Sequence, residues 1–315
     1  MSAPMLPPAV TVYEVGPRDG LQNESRVIET AVKVEFIHRL VAAGLPAVEA
    51  TSFVHPARVP QLADADDVAA ELHADLQSHR LPMLVPNERG LVRALAAGAR
   101  EVAVFLSASE SFAQANLGTD LAGQRAMAEP VIARALAEGL RVRGYISMCW
   151  GDPWEGEVRP GAAVDVALFL LEQGVAEVSL GDTIGVATAA HVRTLLHSAR
   201  AAGVPASATA VHFHDTYGQA TANVLAALDE GITVVDSSAG GLGGCPFALS
   251  ATGNLATEDL LWCLHRQGVQ TGVDLDVVVQ TTTWFAAATG VVPQSRAYSA
   301  LAHRRSQSKE DSSRD

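Results

Sequence analysis

Short runs of β-branched and aliphatic residues alternate along this chain with longer alanine- and leucine-rich stretches whose apolar positions recur at helical spacing. The strand-like runs are Val10–Val15, Ala47–Ser52, Pro82–Val85, Glu101–Leu106, Arg141–Met148, Glu177–Leu180, Ala208–His214 and Thr233–Ser238. Between them, Thr30–Ala43, Gln61–Gln77, Asp120–Glu138, Ala162–Gln173, Ala189–Ala202 and Gln219–Asp229 predict helices. Gly44, Gly98, Gly139, Gly174, Gly203 and Gly231 stand where left-handed C-caps belong. Such alternation is the pattern of parallel strands joined by helices, and eight βα units favour a closed (β/α)8 TIM barrel over an open doubly wound sheet. No Gly-x-Gly-x-x-Gly follows the first run, which removes the main support for a dinucleotide fold. Asn254–Gln267 and Asp274–Ala288 read as additional C-terminal helices. The expected organisation is an N-terminal extension over residues 1–9, one barrel domain over 10–303, and a disordered polar tail over 304–315.

Composition narrows the partners. A net charge of −13 and a pI near 5.2 argue against nucleic acid or an anionic membrane surface, both of which call for a basic face. Lysine occurs only as Lys33 and Lys309, a compositional bias. Cys149, Cys245 and Cys263 are too few and too scattered for a disulfide framework, so a reducing, cytoplasmic location is expected. Met1–Pro8 lacks the charged and apolar regions of a signal peptide, and no segment is apolar for long enough to span a bilayer. The sequence leaves the oligomeric state open, a homo-oligomer included.

A barrel directs attention to the C-terminal ends of its strands. At the seventh, His212 and His214 are two apart in a strand and share a face, with Phe213 opposite, so both imidazoles can reach one metal ion. Barrel closure sets the first strand beside the eighth, so Asp19, in Gly16-Pro17-Arg18-Asp19-Gly20, can complete a two-histidine, one-carboxylate set. Arg18 supplies a fixed positive charge for an oxygen that becomes negative during reaction, unless it is tied up in a structural ion pair. After the eighth strand, four glycines among Gly240–Gly244 suit a lid or a close approach to ligand, and Cys245 follows as a candidate for proton transfer. Asn254 reads either as the N-cap of the next helix or as a further ligand. Glu49 and Asp182 are carboxylates in otherwise apolar strands, which need a partner or a task. Asp182 is the better general-base candidate, and Glu49 is placed to orient Arg18.

Four segments together carry a resemblance. Val15-Gly16-Pro17-Arg18-Asp19-Gly20-Leu21-Gln22-Asn23-Glu24, Ser179-Leu180-Gly181-Asp182-Thr183-Ile184-Gly185, Val211-His212-Phe213-His214-Asp215-Thr216-Tyr217-Gly218 and Gly240-Gly241-Leu242-Gly243-Gly244-Cys245-Pro246-Phe247 resemble the 3-hydroxy-3-methylglutaryl-CoA lyase family. The likeness runs from about Val10 to near Tyr298. It implies metal-dependent cleavage of that acyl-CoA substrate to acetyl-CoA and acetoacetate, as in leucine degradation and ketone body formation, with Mg2+ or Mn2+ as cofactor. It also implies Asp19, His212, His214 and Asn254 as metal ligands and Arg18, Asp182, His212, Cys245 and Glu49 as catalytic residues. Arg18 and Gln22 are implied at the substrate, with Glu258 supporting the site. A retro-Claisen cleavage needs a Lewis acid for the hydroxyl and carboxylate oxygens, a base for the hydroxyl proton and a cation for the enolate.

The chain departs from the family at Cys149-Trp150-Gly151-Asp152-Pro153-Trp154, where Cys-Pro is common, and at Ser250 and Ala187-Thr188. Trp150, Asp152 and Trp154 are therefore expected to border the acyl group or the pantetheine arm, with inward indoles restricting the C3 substituent to methyl. Other readings are a lyase for a longer 3-hydroxyacyl-CoA, a Claisen condensing enzyme and a non-catalytic metal-binding barrel. The Gly-Gly-Leu-Gly-Gly-Cys-Pro loop has the lyase form, and a structural metal would need neither Arg18 nor Asp182.

Overall fold

The structure is a computed structural model that describes residues 6–24, 26–244 and 253–303. The expected strands form one parallel sheet: β1 (Thr11–Glu14), β2 (Ala47–Val48 and Thr51–Ser52), β3 (Met83–Leu84), β4 (Glu101–Ser107), β5 (Arg141–Ser147), β6 (Glu177–Asp182), β7 (Thr209–Phe213) and β8 (Val234–Ser237). Each pairs with its sequence neighbour, and β1 pairs with β8 from Thr11 opposite Val234 to Glu14 opposite Ser237.

β2 closes the ring. Its first half bonds to β1 and its second half to β3. Between the halves the Glu49 amide donates to the Glu14 carbonyl and the Ala50 amide to the Pro82 carbonyl. The two ends of the sheet are thus one strand, and the sheet is a closed eight-stranded barrel.

Helices α1 (Thr30–Ala42), α2 (Ala65–Glu71), α3 (Glu88–Ala96), α4 (Glu110–Leu117), α5 (Leu121–Ala137), α6 (Pro160–Glu172), α7 (Ala189–Ala201), α8 (Ala220–Asp229), α9 (Thr257–Arg266) and α10 (Leu275–Thr289) accompany it. The main apolar core lies between sheet and helices, with Val12, Phe36, Ile37, Val104, Ile132 and Val211 among its members. Gly44, Gly98, Gly139, Gly174, Gly203 and Gly231 all have positive φ. At Gly44 a side chain is excluded twice, by φ of +92° and by the Gly272 carbonyl oxygen 2.5 Å from where a Cβ would sit.

Several expected elements differ. The Gln61–Gln77 stretch breaks into a 3-10 turn at Pro60–Leu62, the short α2 and another 3-10 turn at Asp75–Gln77. Lys33 explains the first break: its buried ammonium bonds the Gln61 carbonyl and Asp64, tying this segment to α1. α3 and α4 were not expected, although Asn87 caps α3 by accepting from the Gly90 amide. Residues 304–315, read as a disordered tail, lie outside the described residues, as do Cys245 and Ser250.

The barrel interior carries a buried charge cluster beside apolar side chains such as Val15, Ala47, Leu84 and Ala103. Arg143 is wholly buried, with its guanidinium carbon 3.9 Å from the Tyr13 ring centre and 4.8 Å from that of Tyr145. It bonds Glu177 at 2.7 Å and both oxygens of Asp236 at 2.7 and 3.1 Å. A cation sealed inside a barrel is tolerated because each face and edge has a partner.

Trp150 corrects an expectation. It is buried against Phe213, ring centres 5.5 Å apart, and Phe213 points away from the face that carries His212 and His214. Trp150 therefore fills the sheet–helix core, while Trp154 is about half exposed on the small hairpin made by Gly151–Asp152 and Gly156–Glu157. Trp150→Ala is expected to cost about 3–5 kcal/mol of stability and to leave the ratio of kcat/KM between short and long acyl substrates unchanged. Thermal melts and kinetics on the same preparation check this, and an unaltered melt with a shifted ratio would return Trp150 to the pocket.

Candidate metal centre and active site

After β1 the chain makes one wide π-type turn, Gly16–Gly20, in which the amides of Arg18, Asp19 and Gly20 converge on the Val15 carbonyl. Glu14 anchors this turn. Its buried carboxylate accepts from the amides of Gly16 and Ala239 and from the Thr257 hydroxyl, linking β1 to the loop after β8 and to α9. Burial pushes the Glu14 carboxyl up to about 7 despite those bonds. The turn aims Arg18 and Asp19 across the mouth of the barrel.

Arg18 is nearly buried and lies between two carboxylates. Its Nη1 donates to Asp19 Oδ1 at 2.6 Å and its Nε to Glu49 Oε2 at 2.7 Å, while Tyr145 donates to the same Glu49 oxygen at 3.0 Å. Nη2 is unengaged among the described residues. Burial pushes the Glu49 carboxyl up, and the Arg18 charge pulls it back. Glu49 occupies the gap in β2 where that strand changes partners, so the same residue marks the barrel seam and orients the arginine.

His212, in β7, and His214, just beyond it, share a face, with ring centres 5.4 Å apart. With Asp19 they form a group whose candidate ligand atoms all lie within 4.8 Å of one another. Burial alone would raise the Asp19 carboxyl, but the Arg18 guanidinium beside it and the Asn254 amide hold it well below the usual carboxylate range.

Asn254 is not a helix N-cap. α9 starts at Thr257, and residues 253–256 instead run along the ends of β7 and β8: Asp215 donates to Gly253, Leu255 to Phe213 and Ser238 to Leu255. A backbone bridge to His214 fixes Asn254 beside the histidines. Its Nδ2 donates to Asp19 Oδ2 at 2.9 Å and to the Leu242 carbonyl at 3.0 Å, whereas its buried Oδ1 has no partner among the described residues. A buried amide oxygen without a donor, beside a carboxylate and two imidazoles, fits a divalent cation.

The remaining expected residues surround this group. Asp182 ends β6, and its two oxygens accept from the amides of Val186 and Ala187. Burial pushes its carboxyl up to about 6. Glu258 sits below the glycine loop, where it accepts from the Gly240 amide and the Thr282 hydroxyl. Gln22 is partly buried on the turn that follows Gly16–Gly20, and Cys245 lies outside the described residues.

Sequence reading missed Arg143, Tyr145 and Asp236. The rule that singled out Glu49 and Asp182, a charged residue in an apolar strand, applies equally to Asp236 in Val234-Val235-Asp236-Ser237.

A barrel that gathers two imidazoles, a carboxylate and an amide beside a clamped arginine offers a donor set suited to a divalent cation. Residues 9–284 match the HMGL-like family model, and the chain belongs to that family. It is 48% identical over 95% of its length to the mitochondrial hydroxymethylglutaryl-CoA lyase of Arabidopsis thaliana, of which it spans 64%. It is 50% identical over 88% of its length to the cytoplasmic 3-hydroxy-3-methylglutaryl-CoA lyase of Danio rerio, of which it spans 82%. The crystal structure of hydroxymethylglutaryl-CoA lyase from Pseudomonas aeruginosa superposes with a TM-score of 0.89 at 44% identity, covering 95% of this chain and 99% of that one. Among the described residues no helix is long and apolar enough to cross a membrane.

Proposed function

We propose that this chain is a divalent-cation-dependent carbon–carbon lyase that cleaves 3-hydroxy-3-methylglutaryl-CoA to acetyl-CoA and acetoacetate. The observation that carries the reading is the convergence of Asp19, His212, His214 and Asn254 beside Arg18 at the C-terminal mouth of the barrel, in a chain whose relatives bear that name. Asp19, His212, His214 and the Asn254 amide oxygen would hold Mg2+ or Mn2+. The bound ion supplies Lewis acidity that lowers the pKa of the substrate's tertiary hydroxyl.

The protein's own groups account for the other steps. Asp182, whose buried carboxyl binds protons more readily than an exposed aspartate, takes the hydroxyl proton. As the C2–C3 bond breaks, its electron pair moves onto the thioester, and Arg18 stabilises the enolate oxygen. Glu49 and Tyr145 hold the Arg18 fork still, so little reorganisation is needed when charge develops. His212 lies beside the proton path, Gln22 meets the substrate at the mouth, and Glu258 steadies the glycine loop. Cys245 takes the family's role of the thiol that returns a proton to the enolate carbon. A cytoplasmic setting and a place in leucine breakdown or ketone-body formation accord with this chemistry.

The test is a panel of 3-hydroxyacyl-CoA thioesters assayed for acetyl-CoA release. The 3-methyl substrate is expected to give the highest kcat/KM, with longer 3-alkyl analogues falling in graded steps, since one methylene in an apolar pocket changes binding by only ~1 to 3 kcal/mol. Preference for a long-chain analogue would replace the substrate while leaving the lyase chemistry in place.

A further inference from the structure

The buried charge cluster of the barrel meets the proposed metal centre at one point. His212 in β7 is in register with Asp236 in β8, and its Nδ1 lies 3.3 Å from Asp236 Oδ2. That same oxygen accepts from Arg143 Nη1 at 3.1 Å and from the Ser179 hydroxyl at 2.9 Å, while Oδ1 accepts from Arg143 Nη2 at 2.7 Å. Asp236 is fully buried and paired with a buried guanidinium, so it is a carboxylate that can only accept. The imidazole nitrogen facing it must therefore donate. A neutral imidazole protonated at Nδ1 carries its lone pair on Nε2, the atom that looks towards Asp19 Oδ2 at 3.9 Å.

We propose that Asp236, held by Arg143 and Ser179, is a positioning residue that fixes His212 as its Nδ1–H tautomer and so presents Nε2 to the cation. The inference rests on the metal reading above and extends it inward. Arg143 bonds Glu177 as well as Asp236, so it anchors the carboxylate to β6 across the barrel. The orientation of a ligand at the mouth is thereby set by a charge network on the barrel axis. Carboxylates that hold a ligating imidazole in this way typically change metal affinity 10- to 100-fold when removed.

The proton position can be read directly. Wild-type protein labelled with 15N-histidine, metal-free and raised to a pH at which the ring is neutral, is expected to show His212 protonated on Nδ1, with the signal assigned by its loss in His212→Asn. Asp236→Asn should weaken Mn2+ binding, followed by the paramagnetic signal of the free ion, by about 10- to 100-fold. Its amide can donate to Nδ1 and push the proton to Nε2, a spectral change that general loosening would not produce. Asp236→Glu, which keeps the carboxylate, should recover part of the affinity. A wild-type protein that binds Mn2+ with His212 protonated on Nε2, or a folded Asp236→Asn that binds Mn2+ as tightly as wild type, would overturn the role of Asp236 alone. No Mn2+ binding by the wild-type chain would overturn the cation reading and this proposal with it. Should Asp236→Asn fail to fold because Arg143 loses its partner, the wild-type spectrum decides by itself.

Discussion

Arg18→Gln is expected to lower kcat by about 100- to 1,000-fold while changing KM far less. The reason is in the clamp. Glu49 and Asp19 already neutralise the guanidinium in the resting protein, so it attracts the ground-state thioester weakly. Its contribution grows only as negative charge builds on the thioester oxygen, and an interaction made in the transition state appears in kcat. Glutamine keeps polar donors but loses the charge and the fork, and it strips Glu49 of its counter-charge. Arg18→Lys should recover only part of the rate, because an ammonium cannot engage both carboxylates with the planar geometry seen here. Steady-state kinetics on the three proteins checks the expectation. A rise in KM with kcat preserved would mean that Arg18 binds substrate uniformly and has no special part in bond cleavage.

His214→Ala should abolish turnover and weaken Mn2+ binding beyond the roughly 100-fold upper range typical of losing a supporting residue. Three protein donors would remain, one of them a neutral amide that binds weakly on its own. In the wild-type chain, EDTA should remove activity and added Mg2+ or Mn2+ should restore it; in the variant, excess cation should not. Direct titration with Mn2+ separates a lost ion from a damaged fold, which circular dichroism monitors independently. Full turnover by His214→Ala in the presence of EDTA would end the metal reading.

What could be read from sequence was what repeats locally. The two-residue spacing puts His212 and His214 on one face by strand geometry alone, and each helix-ending glycine announces its own backbone conformation. Asp19 was reachable because barrel closure is a topological consequence of eight βα units. Three features were left open, misread or missed, and each depends on distant partners. Asn254 has the local credentials of an N-cap, but the bridge to His214 and the bonds from Ser238 and to Phe213 recruit its segment to the strand ends instead. Trp150 sits past a strand end on the catalytic side, yet Phe213 draws it behind the sheet. Arg143 and Asp236 lie on β5 and β8, and only the curved interior shows that they face each other.

The seam at β2 has a consequence for how the protein is made. Arg18, Asp19 and Glu49 leave the ribosome early, whereas Asn254, which meets Asp19, follows 235 residues later. Until β7 emerges and the ring closes, the early part of the chain holds an aspartate and an arginine clamp without His212 or His214. A chain that stops short of β7 therefore lacks both imidazoles of the proposed site, and metal loading would report on the later stages of synthesis. Any fragment that stops short of β7 should be as blind to Mn2+ as an unfolded chain, whatever share of its strands and helices it has already formed.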